Sequence, residues 1–357
     1  MHPIIQEDLE NIVVAIKSEA GALEGKTLLI SGGAGFLGSY FLGTLDLLNR
    51  SVFKKPCTVV SLDNYITASR KGFIQEIQGP NVRLIEGDVT APINIDGPVD
   101  YIIHAAGLAS PFYYKKYPLE TIEAAIAGAK NLLRLALEKH AKSFLLFSSS
   151  EIYGDPDPNF IPTPESYKGS VSCIGPRACY DESKRLAETI GTTYFEIHGV
   201  PIKIVRPFNV YGPGMKSDDY RVIPAFITKA IRGESLNVHG SGNQTRTFCY
   251  VSDAITGFLK VLLSEKNGEA YNVGTAGPEV NMVTLANMIT GFFENKMRIE
   301  LISYPESYPA DEPNRRCPDL TKIRSRLGYE PKIDLKTGLE RTIRWFRDTL
   351  PPSTNLV

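Results

Sequence analysis

Long apolar runs are missing from this chain. None approaches the ~20 residues that a bilayer-spanning helix needs, so a membrane span is excluded. Excess charge is missing too: 39 Lys+Arg stand against 40 Asp+Glu, a formal net charge of -1. With no basic stripe and no polybasic tail, neither a nucleic acid nor a membrane surface is an expected partner. Cysteines are few, odd in number and scattered (Cys57, Cys173, Cys179, Cys249, Cys317), and the five histidines are dispersed as well. Nothing has the spacing of a metal knuckle, so no metal is expected, and the thiols read as the reduced cysteines of a cytoplasmic protein. The first residues carry acid where a secretory leader would carry positive charge, so no leader is expected. Internal repeats and low-complexity tracts are absent.

What is present is an ordinary globular composition, 43% hydrophobic and 22% charged over 357 residues. Ile5, Leu9, Ile12, Val13 and Ile16 fall at helical spacing, predicting a short amphipathic helix that packs on its own domain or on a second subunit. Then strands and helices alternate. Apolar strands are expected at Thr27–Ile30, Thr58–Leu62, Val82–Ile85, Tyr101–His104, Ser143–Phe147 and Ile202–Val205, with helices at Tyr40–Leu48, Leu119–His140 and Tyr180–His198. Short, continuously apolar strands joined by helices make a parallel sheet covered on both faces, the α/β doubly wound (Rossmann) arrangement. After Gly212 the alternation breaks, although strand-like pieces return at Thr247–Val251 and Tyr271–Val273, and a helix is expected around Leu339, Ile343 and Trp345. The expected division is an N-terminal helical extension over 1–25, a dinucleotide-binding domain over 26–212, and a smaller substrate-binding lobe over 213–350, with segments near 247–275 returning to the first domain.

Two motifs carry chemistry. Gly32-Gly-Ala-Gly35-Phe36-Leu37-Gly38 lies between a strand and a helix, where Gly32 permits a tight turn, Gly35 lets backbone approach a pyrophosphate, and Gly38 lets the helix pack near the strand. Asp63 ends the next strand 25 residues after Gly38 and can accept from ribose hydroxyls while repelling a 2'-phosphate, which favours NAD over NADP. Asp88 and Val89 follow the third strand; Asp88 either reaches the adenine edge or caps loop amides. The second motif is Tyr180-Asp-Glu-Ser-Lys184, whose tyrosine and lysine share one helix face. There an ammonium can favour the phenolate, turning a weak acid into a base. Ser149, Ser150 and Glu151 follow the fifth strand, at the sheet edge where ligands bind. Ser149 can share a substrate hydroxyl with Tyr180. Glu151 is a general acid or base, or else a solvated loop residue.

These motifs, with Ser149-Ser-Glu-Ile-Tyr-Gly-Asp-Pro156, resemble the extended short-chain dehydrogenase/reductase family acting on nucleotide sugars. Ile174-Gly-Pro-Arg-Ala-Cys-Tyr-Asp-Glu-Ser-Lys-Arg185, Gly240-Ser-Gly-Asn-Gln-Thr-Arg-Thr-Phe248, Tyr250-Val-Ser-Asp253 and Arg316-Cys-Pro-Asp319 are similar to its UDP-glucuronate decarboxylase branch. The resemblance implies Ser149, Glu151, Tyr180, Lys184 and Arg246 as catalytic residues, NAD as cofactor, contacted by Phe36, Leu37, Val89, Tyr180 and Lys184 besides the glycines, Asp63 and Asp88, and a UDP-sugar as substrate. It implies Ser150, Asn209, Arg221, Arg246 and Arg316 as substrate contacts, and a homodimer built from the helices at Leu119–His140 and Tyr180–His198. Arginine forks suit phosphate or carboxylate, although each arginine can equally sit in a surface ion pair. Ala125, Gly214 and Ser172-Cys173 depart from the family pattern, the last two near the expected sugar pocket.

The implied chemistry is redox-neutral: oxidation at the sugar's 4-hydroxyl, loss of carbon dioxide from the resulting β-keto acid, and reduction back to the alcohol, giving UDP-xylose. In that scheme Lys184 and the positive nicotinamide lower the Tyr180 phenol's pKa. The rivals are a nucleotide-sugar 4,6-dehydratase, which uses an Asp-Glu pair where this chain has Ser150-Glu151, a 4-epimerase, and a non-catalytic NAD-binding regulator.

Overall fold

A computed structural model describes residues 1–70, 73–77, 79–304 and 313–350. The chain opens with helix α1 (Pro3–Ala15) and then alternates: β1 (Thr27–Ser31), α2 (Phe36–Ser51), β2 (Thr58–Asp63), β3 (Val82–Glu86), β4 (Tyr101–His104), α3 (Pro111–Lys116), α4 (Pro118–Glu138), β5 (Ser143–Phe147), α5 (Ala178–His198) and β6 (Ile202–Pro207). Shorter elements follow: β7 (Val210–Tyr211), α6 (Val222–Ile231), β8 (Leu236–His239), β9 (Thr245–Arg246), β10 (Cys249–Tyr250), α7 (Val251–Leu263) and β11 (Glu269–Val273). The last are β12 (Val280–Asn281), α8 (Met282–Gly291), β13 (Ile299–Ile302), β14 (Arg315–Arg316), α9 (Thr321–Leu327) and α10 (Leu335–Thr349).

Seven strands form one parallel sheet in the order β11-β6-β5-β4-β1-β2-β3. The order reverses between β1 and β4, and at such a switch point the loops at the carboxyl ends of two adjacent strands part to form a crevice. Each central strand is buried on both faces, which is why β1, β4 and β5 are written as unbroken apolar runs. One face packs under α4 and α5, with Leu132, Leu133, Ala187 and Ile202 in that core. The other packs under α2 and α7 with Phe41, Phe147 and Phe258 in edge contacts.

The strand expected at Thr247–Val251 is corrected. Only Cys249–Tyr250 is extended; it pairs with β7 outside the main sheet, and α7 begins at Val251. Val251, Ala254, Ile255, Phe258 and Leu262 are buried along that helix, so a helical period won over β-branched propensity. The return to the sheet is made by the other expected piece, Tyr271–Val273, as part of β11, paired in parallel with β6. The helix read from Tyr40 begins earlier, at Phe36, because Gly35 is an extended N-cap and the glycine turn opens straight into it.

The N-terminal helix packs on α2 and α7 of its own chain. Its Asp8 is buried and accepts from Tyr40, Tyr250 and Arg341, tying α1, α2, β10 and α10 to one point. Burial raises the Asp8 carboxyl to about 6 despite the facing Arg341.

Candidate active site

Two cavities open along the carboxyl edge of the sheet. The smaller, about 80 Å³, is lined by Gly32, Gly35, Asp63, Asn64, Thr67, Gly87, Val89 and Ala106 at the switch point. Its floor is backbone. A Cβ added at Gly32 would lie 2.7 Å from the Ala106 nitrogen, and one at Gly38 would lie 2.1 Å from the Gly32 oxygen. Neither position admits a side chain, and α2 therefore presents its first turn bare to the crevice, where its orphan N–H groups suit a pyrophosphate. Asp63 accepts from the amides of Ala34 (3.0 Å) and Tyr65 (2.8 Å), which fixes the carboxylate at the crevice wall. Burial raises its pKa. Asp88 does not stand on that wall: its oxygens accept from the Thr90 amide and hydroxyl and from Asn64 Nδ2. The capping alternative describes it. Phe36 and Leu37 open α2, Phe36 in edge contact with Tyr40.

The larger cavity, about 260 Å³, is lined by Tyr114, Glu151, Arg177, Asn209, Tyr220, Arg221, Arg246 and Arg316 among others. Four of these lining residues are arginines, and the chain arranges each differently. Arg221 is chelated by Asp219. Arg246 lies against the carbonyl oxygens of Thr245 (2.8 Å), Asn314 (3.2 Å) and Pro313 (2.6 Å). Arg316 and Arg177 both bind Glu151, Arg316 through a fork on its two oxygens. Arg177 also reaches Asp181 one helical turn on. Glu151 is thus no solvated loop residue; it is the hub that joins the turn after β5 to α5 and β14. Asn209 donates to the Thr247 carbonyl from a left-handed backbone (φ 40°).

Tyr180 and Lys184 are both buried on α5 and, like Ser149, are not among the residues that line this cavity. The Tyr180 ring stacks on Tyr114 with centroids 5.4 Å apart, and Ser149 is close enough to pull on its phenol. Ser149 also caps the following turn through the Glu151 amide (3.2 Å). Burial by the protein raises the phenol's pKa. The main opposing pulls come from the Ser149 hydrogen bond, Arg221 and Arg177. Lys184 donates instead to the Phe147 carbonyl at 2.7 Å, its Nζ 5.8 Å from the Tyr180 ring centre. Burial lowers Lys184 to about 8 and, with Lys184 nearby, lowers His104 to about 3.

Ser150 is buried in the turn and is not part of either cavity wall. Gly214 packs near Phe36 and Tyr40 at φ +91°, while Ser172 and Cys173 are exposed in a turn closed by the Ser172 hydroxyl. None of these three is on the cavity wall, and Ala125 is buried inside α4.

Residues 28–274 match the NAD dependent epimerase/dehydratase family. The chain belongs to this family. Within it, the chain is 43% identical over 312 residues to UDP-glucuronic acid decarboxylase 5 of Arabidopsis thaliana, covering 87% of this chain and 86% of that one. It is 40% identical to UDP-glucuronic acid decarboxylase 1 of Xenopus tropicalis, covering 92% and 74%. Solved structures share the architecture. The UDP-glucuronic acid 4-epimerase of Bacillus cereus, in complex with UDP-glucuronic acid and NAD, superposes with a TM-score of 0.75 at 25% identity, covering 90% of this chain and 99% of that one. DesIV, a dTDP-glucose 4,6-dehydratase of Streptomyces venezuelae with NAD bound, gives a TM-score of 0.78 at 25% identity, over 90% and 97%.

For an epimerase/dehydratase family member, two residues of this site escaped sequence reasoning. Arg177 lay inside a recognised motif without a role; its spacing of four from Asp181 was the available signal. Tyr114 gave none, because its partner Tyr180 is far away in the chain, yet its hydroxyl is buried with no hydrogen-bond partner among the described residues.

Proposed function

We propose that this protein is an NAD-dependent UDP-glucuronate decarboxylase that forms UDP-xylose through a 4-keto intermediate. The observation that carries the reading is the Glu151 hub: one carboxylate and two arginines that, with Arg221 and Arg246, line a cavity on the same sheet edge as a backbone-lined dinucleotide crevice, with Tyr180 stacked behind Tyr114 of the cavity wall. Gly32, Gly35, Gly38 and Asp63 would hold NAD, which, when bound, supplies a hydride acceptor for carbon 4 of the sugar and returns that hydride at the end.

The side chains then divide the remaining work. Tyr180 takes the proton of the 4-hydroxyl, helped by Ser149, and gives it back in the last step. Lys184 supplies positive charge beneath the phenol. Loss of carbon dioxide from the β-keto acid leaves an enolate, whose oxygen is held by the Tyr180 hydroxyl and Ser149. Both oxygens of Glu151 are engaged by arginine. Carbon 5 therefore receives its proton through a water that Glu151 orients, or from Glu151 once an arginine has turned to the substrate. Arg246 takes the sugar carboxylate, while Arg221, Arg316 and Asn209 take the diphosphate side.

A dehydratase needs an acid where Ser150 stands, and a serine hydroxyl does not supply one; an epimerase has no use for the Glu151 hub. Tyr180, Lys184 and Ser149 together argue against a silent regulator. In the same reading the protein is cytoplasmic, supported by five unpaired cysteines. Among the described residues no helix is long and apolar enough to cross a membrane. It is also a homodimer through α4 and α5, supported by exposed Leu119, Leu186 and Ile197 on those helices. The 26–212 and 213–350 division is retained, with β11 as the returning segment.

The test is incubation with UDP-glucuronate and NAD while following carbon dioxide and the sugar product. Carbon dioxide with a UDP-pentose is expected. A UDP-keto-sugar or a UDP-galacturonate epimer without carbon dioxide would move the function to a sister reaction.

A further inference from the structure

The turn after β5 carries two carboxylates four residues apart, Glu151 and Asp155, and both are directed at one strand. Along β14 and the residue before it, alternate side chains point to opposite sides. Arg316 binds Glu151, and Asn314, two residues earlier, is gripped by Asp155. Asp155 accepts from the Asn314 amide at 2.8 Å and from its side-chain nitrogen at 2.9 Å. Arg315, on the opposite side, pairs with Glu279.

The grip has a consequence one strand away. β14 pairs with β9 so that Arg316 lies beside Arg246. The Asn314 carbonyl oxygen accepts from the Thr245 amide (2.9 Å) and from the Arg246 guanidinium (3.2 Å), and the adjacent Pro313 carbonyl accepts from the same guanidinium at 2.6 Å. Two of the three carbonyls that hold Arg246 therefore belong to a segment that Asp155 helps to fix, beside the pairing of β14 with β9; the third is that of Thr245. Asp155 is itself exposed and is not part of the cavity wall, so it acts through Asn314 rather than on a ligand.

We propose that Asp155 is a positioning residue for Arg246, and through it sets the preference of the pocket for a sugar bearing a carboxylate. This rests on the decarboxylase reading for the identity of the substrate. A carboxylate that accepts two N–H bonds holds a short segment far better than a water-filled gap does. Loss of that hold lets the carbonyls, and the fork they align, drift from the orientation that meets a second carboxylate with two hydrogen bonds. A ligand lacking the sugar carboxylate has nothing to lose.

The experiment measures binding, so that it stands apart from turnover. NADH-loaded protein, which cannot accept hydride, is titrated calorimetrically with UDP-glucuronate and with UDP-glucose. Asp155→Ala is expected to weaken UDP-glucuronate roughly tenfold and UDP-glucose by less than about twofold. In an Arg246→Ala background, adding Asp155→Ala should change UDP-glucuronate affinity by less than about twofold, because the two residues act in series. Asn314→Ala, which removes only the side-chain half of the grip, should show the same selectivity change at smaller size, and it carries the test if Asp155→Ala fails to fold. Equal weakening of both ligands, a full loss that persists without Arg246, or a parent protein with no preference for UDP-glucuronate overturns the proposal. The two readings separate cleanly. A selectivity change in a protein that releases no carbon dioxide would sink the decarboxylase and leave the positioning role, and carbon dioxide release with unchanged selectivity would do the reverse.

Discussion

The two cavities that share the sheet edge are built from different materials. The crevice at the switch point is made of backbone and missing side chains: Gly32 and Gly38 sit where a Cβ would strike another residue's main chain, and Asp63 is held by two amides. The larger pocket sets charged side chains that hold one another into a largely apolar wall, with Glu151 between Arg177 and Arg316, and Asp219 on Arg221. A main-chain cradle suits a ligand that is the same in every turnover, because nothing in it needs to move. A network of ion pairs suits a substrate that changes charge during the reaction, because a shared arginine such as Arg177, divided between Glu151 and Asp181, has a second partner to leave or return to.

That contrast can be broken by substitution, beginning where the effect is largest. Tyr180→Phe and Glu151→Gln should each lower kcat by about 10²–10⁴ while leaving the NAD dissociation constant within a factor of about two. NAD binding followed by fluorescence checks this, and a matching loss of cofactor affinity would erase the distinction between the cavities. Gly38→Ala should do the opposite. Its methyl group would overlap the Gly32 carbonyl, costing about 1–3 kcal/mol and most of the cofactor affinity. A thermal melt with and without NAD reads both effects.

Lys184 sharpens the comparison through pH. Its folded value of about 8 lies below the ordinary 10.5, so its charge is present below pH 8 and lost above it. Activity that depends on the ammonium should fall several-fold as pH rises through 8. Stability should move the other way. Between 8 and 10.5 the unfolded chain keeps a proton that the folded chain has released, so this group's contribution to stability rises with pH. Lys184→Met should flatten that rise, measured as thermal midpoint against pH. The smallest effect is expected from Asp63→Asn: a modest gain in NADP binding with NAD affinity lowered a few-fold, since the amide keeps one acceptor and removes the charge that repels a 2'-phosphate.

The crevice was legible in the sequence because it is local. Gly32 through Gly38 are contiguous, Asp63 ends the adjacent strand, and six of the seven sheet strands announce themselves as apolar runs. Asp88 was the exception, since a loop carboxylate looks the same whether it faces a ligand or its own amides. The substrate pocket was legible only in part. Glu151, Arg246 and Arg316 could be named from motifs, but their pairing depends on a three-strand patch, β12-β9-β14, that brings residues 246 and 316 side by side. No periodicity in two-residue strands reports such a register. The surroundings of Tyr180 were hidden for a related reason: four residues of helical spacing imply proximity to Lys184, but they do not say that the ammonium donates to Phe147, or that the phenol is deeply buried.

The knot of Asp8, Tyr40, Tyr250 and Arg341 makes two distant stretches of chain depend on each other. The seat of α1 is complete only when Arg341 on α10 is in place: without it Asp8 has no guanidinium to offset its burial, and α1 has reason to stay in water. A chain cut before α10 should therefore present α1 as a free, protease-sensitive arm.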